Sequence, residues 1–318
     1  MGSGTSWSAG CAARRAGDIS FPGVNAPDVS IILPTQGLRP SLLAAVRSAL
    51  AQDFFPFEIV VVDDAVRPGV WRVRPDLAAS LADPRVRVVP FHQGRGCAAA
   101  KNAGLRAARG QWVCYLDDDN EYHPAKVGAQ RALAIATGSP VVLCGLEFRM
   151  HGRRRCRQID TPVFVGDDLL LRALADTNVL FHRREANVWW DESLGTVDDA
   201  CYFQALVGHH GLKQVPNVPQ PLAIYHSHAG ARANRGFERF QRGQRCLIVR
   251  WSRAYSRRAR RILLLRSLVA LSKYRAGGWR TLAANGCRLL RVGGWREWRV
   301  VANAVGVKLP VVRRWMVT

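Results

Sequence analysis

The chain has 318 residues, 48% hydrophobic and 22% charged, which is enough to bury a sizeable core and excludes a disordered or fibrous protein. Its net charge of +22 is unevenly placed: residues 231–318 hold 22 Arg or Lys against only Glu238 and Glu297, leaving 24 basic and 22 acidic residues in 1–230. That asymmetry points the tail to an anionic partner, while no apolar run reaches the ~18 residues of a membrane span and nothing predicts a secretory leader.

Residues 1–28, rich in Gly, Ser, Ala and Pro, predict a flexible segment. Val29-Ser-Ile-Ile-Leu-Pro34 predicts a first buried strand. A loop with Gly37, Arg39 and Pro40 follows, then a helix to about Gln52 with Leu42, Leu43, Val46, Ala49 and Leu50 on its apolar face. Glu58-Ile-Val-Val-Val-Asp-Asp64 predicts a second strand that ends in two acids. Residues 74–82 predict a helix and Arg85-Val-Arg-Val-Val-Pro90 a third strand. A small-residue helix covers 97–108, with Gly110 as its stop. A fourth strand, Gln111-Trp-Val-Cys-Tyr-Leu-Asp117, runs directly into Asp118 and Asp119.

This alternation argues an α/β fold with a parallel sheet and right-handed crossovers. Ligands of such sheets lie at the carboxyl ends of the strands, where Asp63, Asp64 and Asp117–Asp119 are all expected. Three adjacent carboxylates oppose one another's ionisation, so a positive group belongs beside them. A hard divalent cation and basic side chains are the two candidates, against a plain solvated turn.

Further along, His123-Pro-Ala-Lys126 predicts a helix start that runs to about Thr137. Val141–Met150 and 153–159 predict a strand pair around His151-Gly152. Asp167–Asp176 predicts a short helix, 179–182 a strand, and Trp189-Trp190-Asp191-Glu192-Ser193-Leu194-Gly195 a loop. Asp198-Asp199 opens a helix to Gly208, where the helix dipole alone would favour two acids. Leu222–His228 predicts a last strand and turn. His226 and His228 are either structural or ligands to metal or phosphate, and His209-His210 are expected in solvent. Trp189 and Trp190 suit either sugar stacking or the core.

The stretches VSIILPTQGLRPSLLAAVRSALAQ, EIVVVDDA, GRGCAAAKNAGLRAARGQWVCYLDDDN and WWDESLGTVDDACYF, in this order, resemble the GT-A inverting glycosyltransferases of family 2 over about 29–230. The residues after this range predict a basic helical region at 231–318, and the resemblance itself implies a GT-A fold, a Rossmann-like mostly parallel sheet flanked by helices. It implies transfer of a sugar from a nucleotide sugar, UDP-linked by expectation, to an acceptor hydroxyl of a glycan, a lipid-linked glycan or a small molecule. The implied nucleotide-sugar set is Pro34, Thr35, Arg39, Asp63, Asp64, Lys101, Asp117 and Asp118. Asp119 is the implied ligand of Mn²⁺ or Mg²⁺, with Asp117 and His228 as further candidates. Asp199 is the implied general base, with Asp198 beside it. The chain departs from the family at Ala65-Val66, where Gly-Ser is usual, and at Ala200-Cys201, which bears on the acceptor side.

The chemistry fits these residue types. Leaving diphosphate is stabilised by a cation on its oxygens, and an attacking hydroxyl needs a carboxylate in reach. Other classes fit less well. No G-x-x-x-x-G-K-[ST] occurs, and LPTQGLRP is not the Gly-rich loop of a sugar nucleotidyltransferase. A non-catalytic membrane- or polyanion-binding protein on the same scaffold is the other alternative. In the tail, arginines interleave with Trp251, Trp279, Trp295, Trp298 and Trp315, which suits an anionic membrane surface or helices packed on the catalytic domain. No nucleic-acid motif accompanies the charge. Eight scattered cysteines without a C-x-x-C pair fit a reducing cytoplasm, and membrane contact is expected to be peripheral, on the inner face.

Overall fold

The computed structural model describes residues 26–272, apart from 38, 66–68, 92–93, 151–152, 175, 195–197 and 228–236, together with Cys287. His228, the helix expected at 282–290 and the tryptophans beyond 272 lie outside the described residues, as does most of the expected flexible segment at the start.

The first half forms as its apolar runs dictate. Strands β1 (Val29–Thr35) and β2 (Phe57–Asp63) are buried at every position, the pattern of parallel strands covered on both faces. Helix α1 (Leu42–Leu50) buries Leu42, Ala45, Val46 and Ala49. Helix α2 (Pro75–Leu81) starts on a proline, whose missing N–H costs nothing at a first turn. Strand β3 (Val86–Pro90), helix α3 (Cys97–Ala107) and strand β4 (Trp112–Tyr115) complete the alternation. The small residues of α3 let it lie close on the sheet: a Cβ at Gly104 would meet Ile32 Cγ2 at 2.4 Å. A Cβ at Gly110 would stand 2.6 Å from the Ser30 backbone nitrogen, so the turn into β4 requires glycine.

The second half consists of β5 (Asn120–Tyr122), α4 (Lys126–Thr137), β6 (Val141–Met150), β7 (Arg153–Arg157), β8 (Val163–Val165), α5 (Asp168–Leu171), β9 (Phe181–Arg183), α6 (Asp198–His209) and β10 (Gln214–Ser227). The sheet order is β3-β2-β1-β4-β9-β6-β10-β5, with β7 on β6 and β8 on β10. β3, β2, β1 and β4 are mutually parallel, and β9 turns antiparallel to β4. The helix expected over 167–176 is only the single turn α5, followed by a 3₁₀ turn at Thr177–Val179. The last strand starts at Gln214 rather than Leu222, and the strand expected from 179 starts at Phe181.

One large core fills the sheet–helix layers. A second, smaller one joins Leu194 and Cys201 to Leu247, Ile248, Leu263 and Leu264. The last four belong to a π-helical turn (Leu247–Trp251) after α7 (Phe237–Cys246) and to α8 (Arg257–Ser272). Apolar residues of this basic region therefore pack against protein. Among the described residues no helix is long and apolar enough to cross a membrane.

Candidate active site

Parallel register brings the sequence-predicted acids to one sheet edge. Thr35 pairs with Asp63 at the ends of β1 and β2, and the Asp64 N–H donates to the Thr35 carbonyl at 2.8 Å. The β4 chain continues this edge, with the Leu116 N–H on the Ile32 carbonyl at 3.0 Å, and then turns through Asp117, Asp118 and Asp119 into β5. Pro34 is the penultimate residue of β1, opposite Val62.

The carboxylates divide into distinct jobs. Asp63 accepts from the Ala65 and Gly69 backbone N–H groups and from Trp71 Nε1, at 3.1–3.2 Å, and so shapes the loop after β2. Asp64 accepts from the Gly96 N–H at 3.1 Å through one oxygen, while its other oxygen is buried and has no hydrogen-bond partner among the described residues. Asp118 accepts from the Thr35 hydroxyl at 2.7 Å, and its backbone carbonyl accepts from the Ser41 hydroxyl at 2.9 Å. It thereby ties the β1–α1 loop to the acidic turn. Burial pushes its carboxyl up to about 6. Arg39 reaches Asp118 at 3.2 Å and Asp119 at 3.0 Å. A basic side chain thus meets the acidic cluster.

Lys101 is the second such cation, and it is enclosed. At 3% exposure its ammonium lies 3.5 Å from Asp117, donates to Thr177 Oγ1 at 3.3 Å and sits over the Trp190 ring at 4.5 Å. Burial alone would lower its pKa, but Asp117, with Asp198 and Asp199 adding to it, raises it. Its neighbour Asn102 bonds Trp190 through both backbone groups at 2.9 Å and also reaches Glu192. Trp190 is buried and stacks on Tyr202 with ring centroids 4.1 Å apart, which assigns it to the core; Trp189 is 42% exposed.

Asp198 and Asp199 open α6, as expected. Burial first, and then Asp198, push the Asp199 carboxyl up to about 6. Sequence reasoning missed Asp176 and Asn178. Asn178 accepts from the Asp117 N–H at 2.9 Å and donates to its carboxylate at 3.3 Å, and Asp176 caps the same 3₁₀ turn. Burial, then Asp117, push Asp176 up to about 7. The only available signal was the D-x-N spacing, which also reads as the tail of a helix. His226 bonds Glu121 at 2.6 Å on the edge of the sheet.

These residues can hold a divalent cation in one manner. The donors are hard carboxylate oxygens, but the three acids do not form a convergent three-ligand cluster. One or two carboxylates, with the rest of the shell supplied from outside the protein, match that supply.

Residues 30–203 match Glycosyl transferase family 2. The chain is 29% identical over 222 residues to the succinoglycan biosynthesis protein ExoO of Rhizobium meliloti, covering 64% of this chain and 62% of ExoO. It thus spans less than two thirds of that relative. Among solved structures, S. aureus TarS 1-349 in complex with UDP-GlcNAc aligns with a TM-score of 0.60 at 16% identity, over 88% of this chain and 80% of that one. The mannosyltransferase PcManGT from Pyrobaculum calidifontis, with GDP-Man and Mn²⁺, aligns with a TM-score of 0.51 at 18% identity, over 92% and 88% of the two chains. The curled, mostly parallel sheet with its acids on one edge is a GT-A fold, and the chain belongs to glycosyl transferase family 2.

Proposed function

We propose that this edge binds a nucleoside-diphosphate sugar and that Asp199 deprotonates an acceptor hydroxyl, which displaces the diphosphate with inversion at the anomeric carbon. The reading is carried by the gathering of Asp64, the Asp117–Asp119 turn and the Asp199 end of α6 around one crevice. The unpartnered Asp64 oxygen suits a nucleobase N–H, since a buried acceptor left unpaired costs about 1–3 kcal/mol. Asp119, with Asp117, is the set that would hold Mn²⁺ or Mg²⁺ on the diphosphate. A bound cation there would neutralise the charge that develops on the leaving group. The UDP-sugar in TarS and the Mn²⁺ in PcManGT support a UDP-type donor and a metal here. The biosynthetic name of ExoO supports a growing polysaccharide as acceptor.

Titration calorimetry with UDP and Mn²⁺ tests the donor half. UDP binding is expected in the presence of Mn²⁺ and is expected to weaken roughly 5- to 100-fold in Asp64→Ala, the equivalent of one lost buried hydrogen bond. Absence of UDP and GDP binding with either metal would sink the proposal.

The exposed arginines Arg253, Arg257, Arg258 and Arg261 suit a peripheral, electrostatic contact with an anionic membrane surface. The 318-residue chain is expected to sediment with vesicles rich in phosphatidylglycerol at low salt and to be released at about 0.5 M salt, where screening is nearly complete. Equal sedimentation with neutral vesicles would remove this role.

A further inference from the structure

A second cluster of ligand-type side chains lies away from the crevice. Glu185 follows β9, whose Arg183 pairs with Trp112 at the start of β4, the end of the strand opposite the acidic turn. His209 ends α6 and His210 follows it. The ten residues from Asp199 to His209 place the cluster about 15 Å along α6 from the proposed base.

The three groups face one another without satisfying one another. His209 Nε2 stands 3.7 Å from one Glu185 oxygen, and His210 Nε2 stands 3.4 Å from the other. His210 Nε2 is nevertheless buried and makes no hydrogen bond among the described residues. One ligand atom from each of the three lies within 4.8 Å of the other two. Ligands around a tetrahedral Zn²⁺ with bonds of 2.0–2.2 Å are about 3.4 Å apart, so modest side-chain closure makes a first coordination shell. Two imidazoles and a carboxylate suit Zn²⁺ better than Mg²⁺, which prefers an all-oxygen shell. The C-terminal end of α6 adds the negative pole of a helix dipole. Arg183 is a positive charge that acts on His210, and its side chain is exposed and so screened.

We propose that Glu185, His209 and His210 form a Zn²⁺ site with three protein ligands and a fourth position open to water. The ion would pin the C-terminal end of α6 to the loop after β9, and so fix the helix that carries Asp198 and Asp199.

The test uses the full chain stripped with EDTA and then titrated with Zn²⁺ against a chromogenic chelator. The parent is expected to bind one more Zn²⁺ than the His209→Ala/His210→Ala double variant. The crevice acids and the cysteines remain in both proteins, so the difference isolates this cluster. Co²⁺ is expected to give visible ligand-field bands in the parent that vanish in the double variant. Glu185→Gln, which keeps both imidazoles, is expected to bind Zn²⁺ at least about ten-fold more weakly and serves if the double variant does not fold. Equal Zn²⁺ stoichiometry in parent and double variant, or in an unfolded double variant's place an unchanged affinity in Glu185→Gln, would overturn the proposal.

Discussion

Asp199→Asn is expected to lose about 10²- to 10⁴-fold in kcat, to leave UDP affinity nearly unchanged and to melt at a higher temperature than the parent at pH 8. The kinetic loss follows because an amide cannot accept the acceptor's proton. The gain in stability follows from linkage. Burial and Asp198 push the Asp199 carboxyl up to about 6, against 3.8 for the ordinary group. The folded chain therefore keeps a proton on Asp199 between these values while the unfolded chain releases it. Stability supplied by this residue falls as pH rises through that window, and its full cost is present above about 6. An uncharged asparagine removes that cost, so the difference in melting temperature should vanish near pH 4. The same titration predicts that kcat/KM of the parent rises with pH to a plateau above about 6, because only the ionised form is a base. A variant that loses stability at pH 8 as well as rate would indicate a structural role instead. Rate retained in Asp199→Asn would remove Asp199 from the mechanism.

The residues that sequence reasoning placed well are those whose position depends on strands alone. Long apolar runs leave little choice of register, and acids at their carboxyl ends must then share an edge; Asp63, Asp64 and Asp117 follow from that alone, whereas Thr35 came from the family resemblance. The arrival of Asp199 beside them did not follow from periodicity. It came from the family resemblance, because a helix start after an irregular loop can lie anywhere. The last strand was half hidden by Pro216, Pro219 and Pro221, which oppose a strand assignment. The structure accommodates them by register shifts at Val218/Pro221 and Pro221/Ala223 within β10. β5 and β8, at three residues each, are too short to show a period. Asp176 was lost to a helix assignment that the chain abandons after one turn at Leu171, and Asn178 fell between that helix and the next expected strand. His209 and His210 were expected in solvent; His209 is exposed, but His210 is partly buried, and both face Glu185, a residue more than 20 positions earlier that no local pattern reaches.

Lys101→Met is expected to be the most destabilising substitution at the site, although methionine matches the lysine stem in length. Lys101 is enclosed between Asp117, Thr177 and the Trp190 ring, Asp198 and Asp199 add to the negative field around it, and Asp176 stands in turn against Asp117. Removing one partner of a buried charge group leaves the others uncompensated, at a cost of about 3–5 kcal/mol. For a domain of this size that is a fall in Tm of roughly 6–20 °C. The pH dependence identifies the cause. The orphaned carboxylates can escape by taking up protons, and Asp176 and Asp199 already do so near 7 and 6 in the parent. The deficit of Lys101→Met should therefore shrink as pH falls from 8 to 5, whereas loss of packing over Trp190 would be independent of pH. Adding Asp176→Asn should recover part of the deficit at pH 8, and the non-additivity of the double variant measures the coupling. A Lys101→Met protein that melts with the parent at pH 8, or whose deficit is the same at pH 5 and 8, would show that Lys101 does not hold the acids of the crevice together.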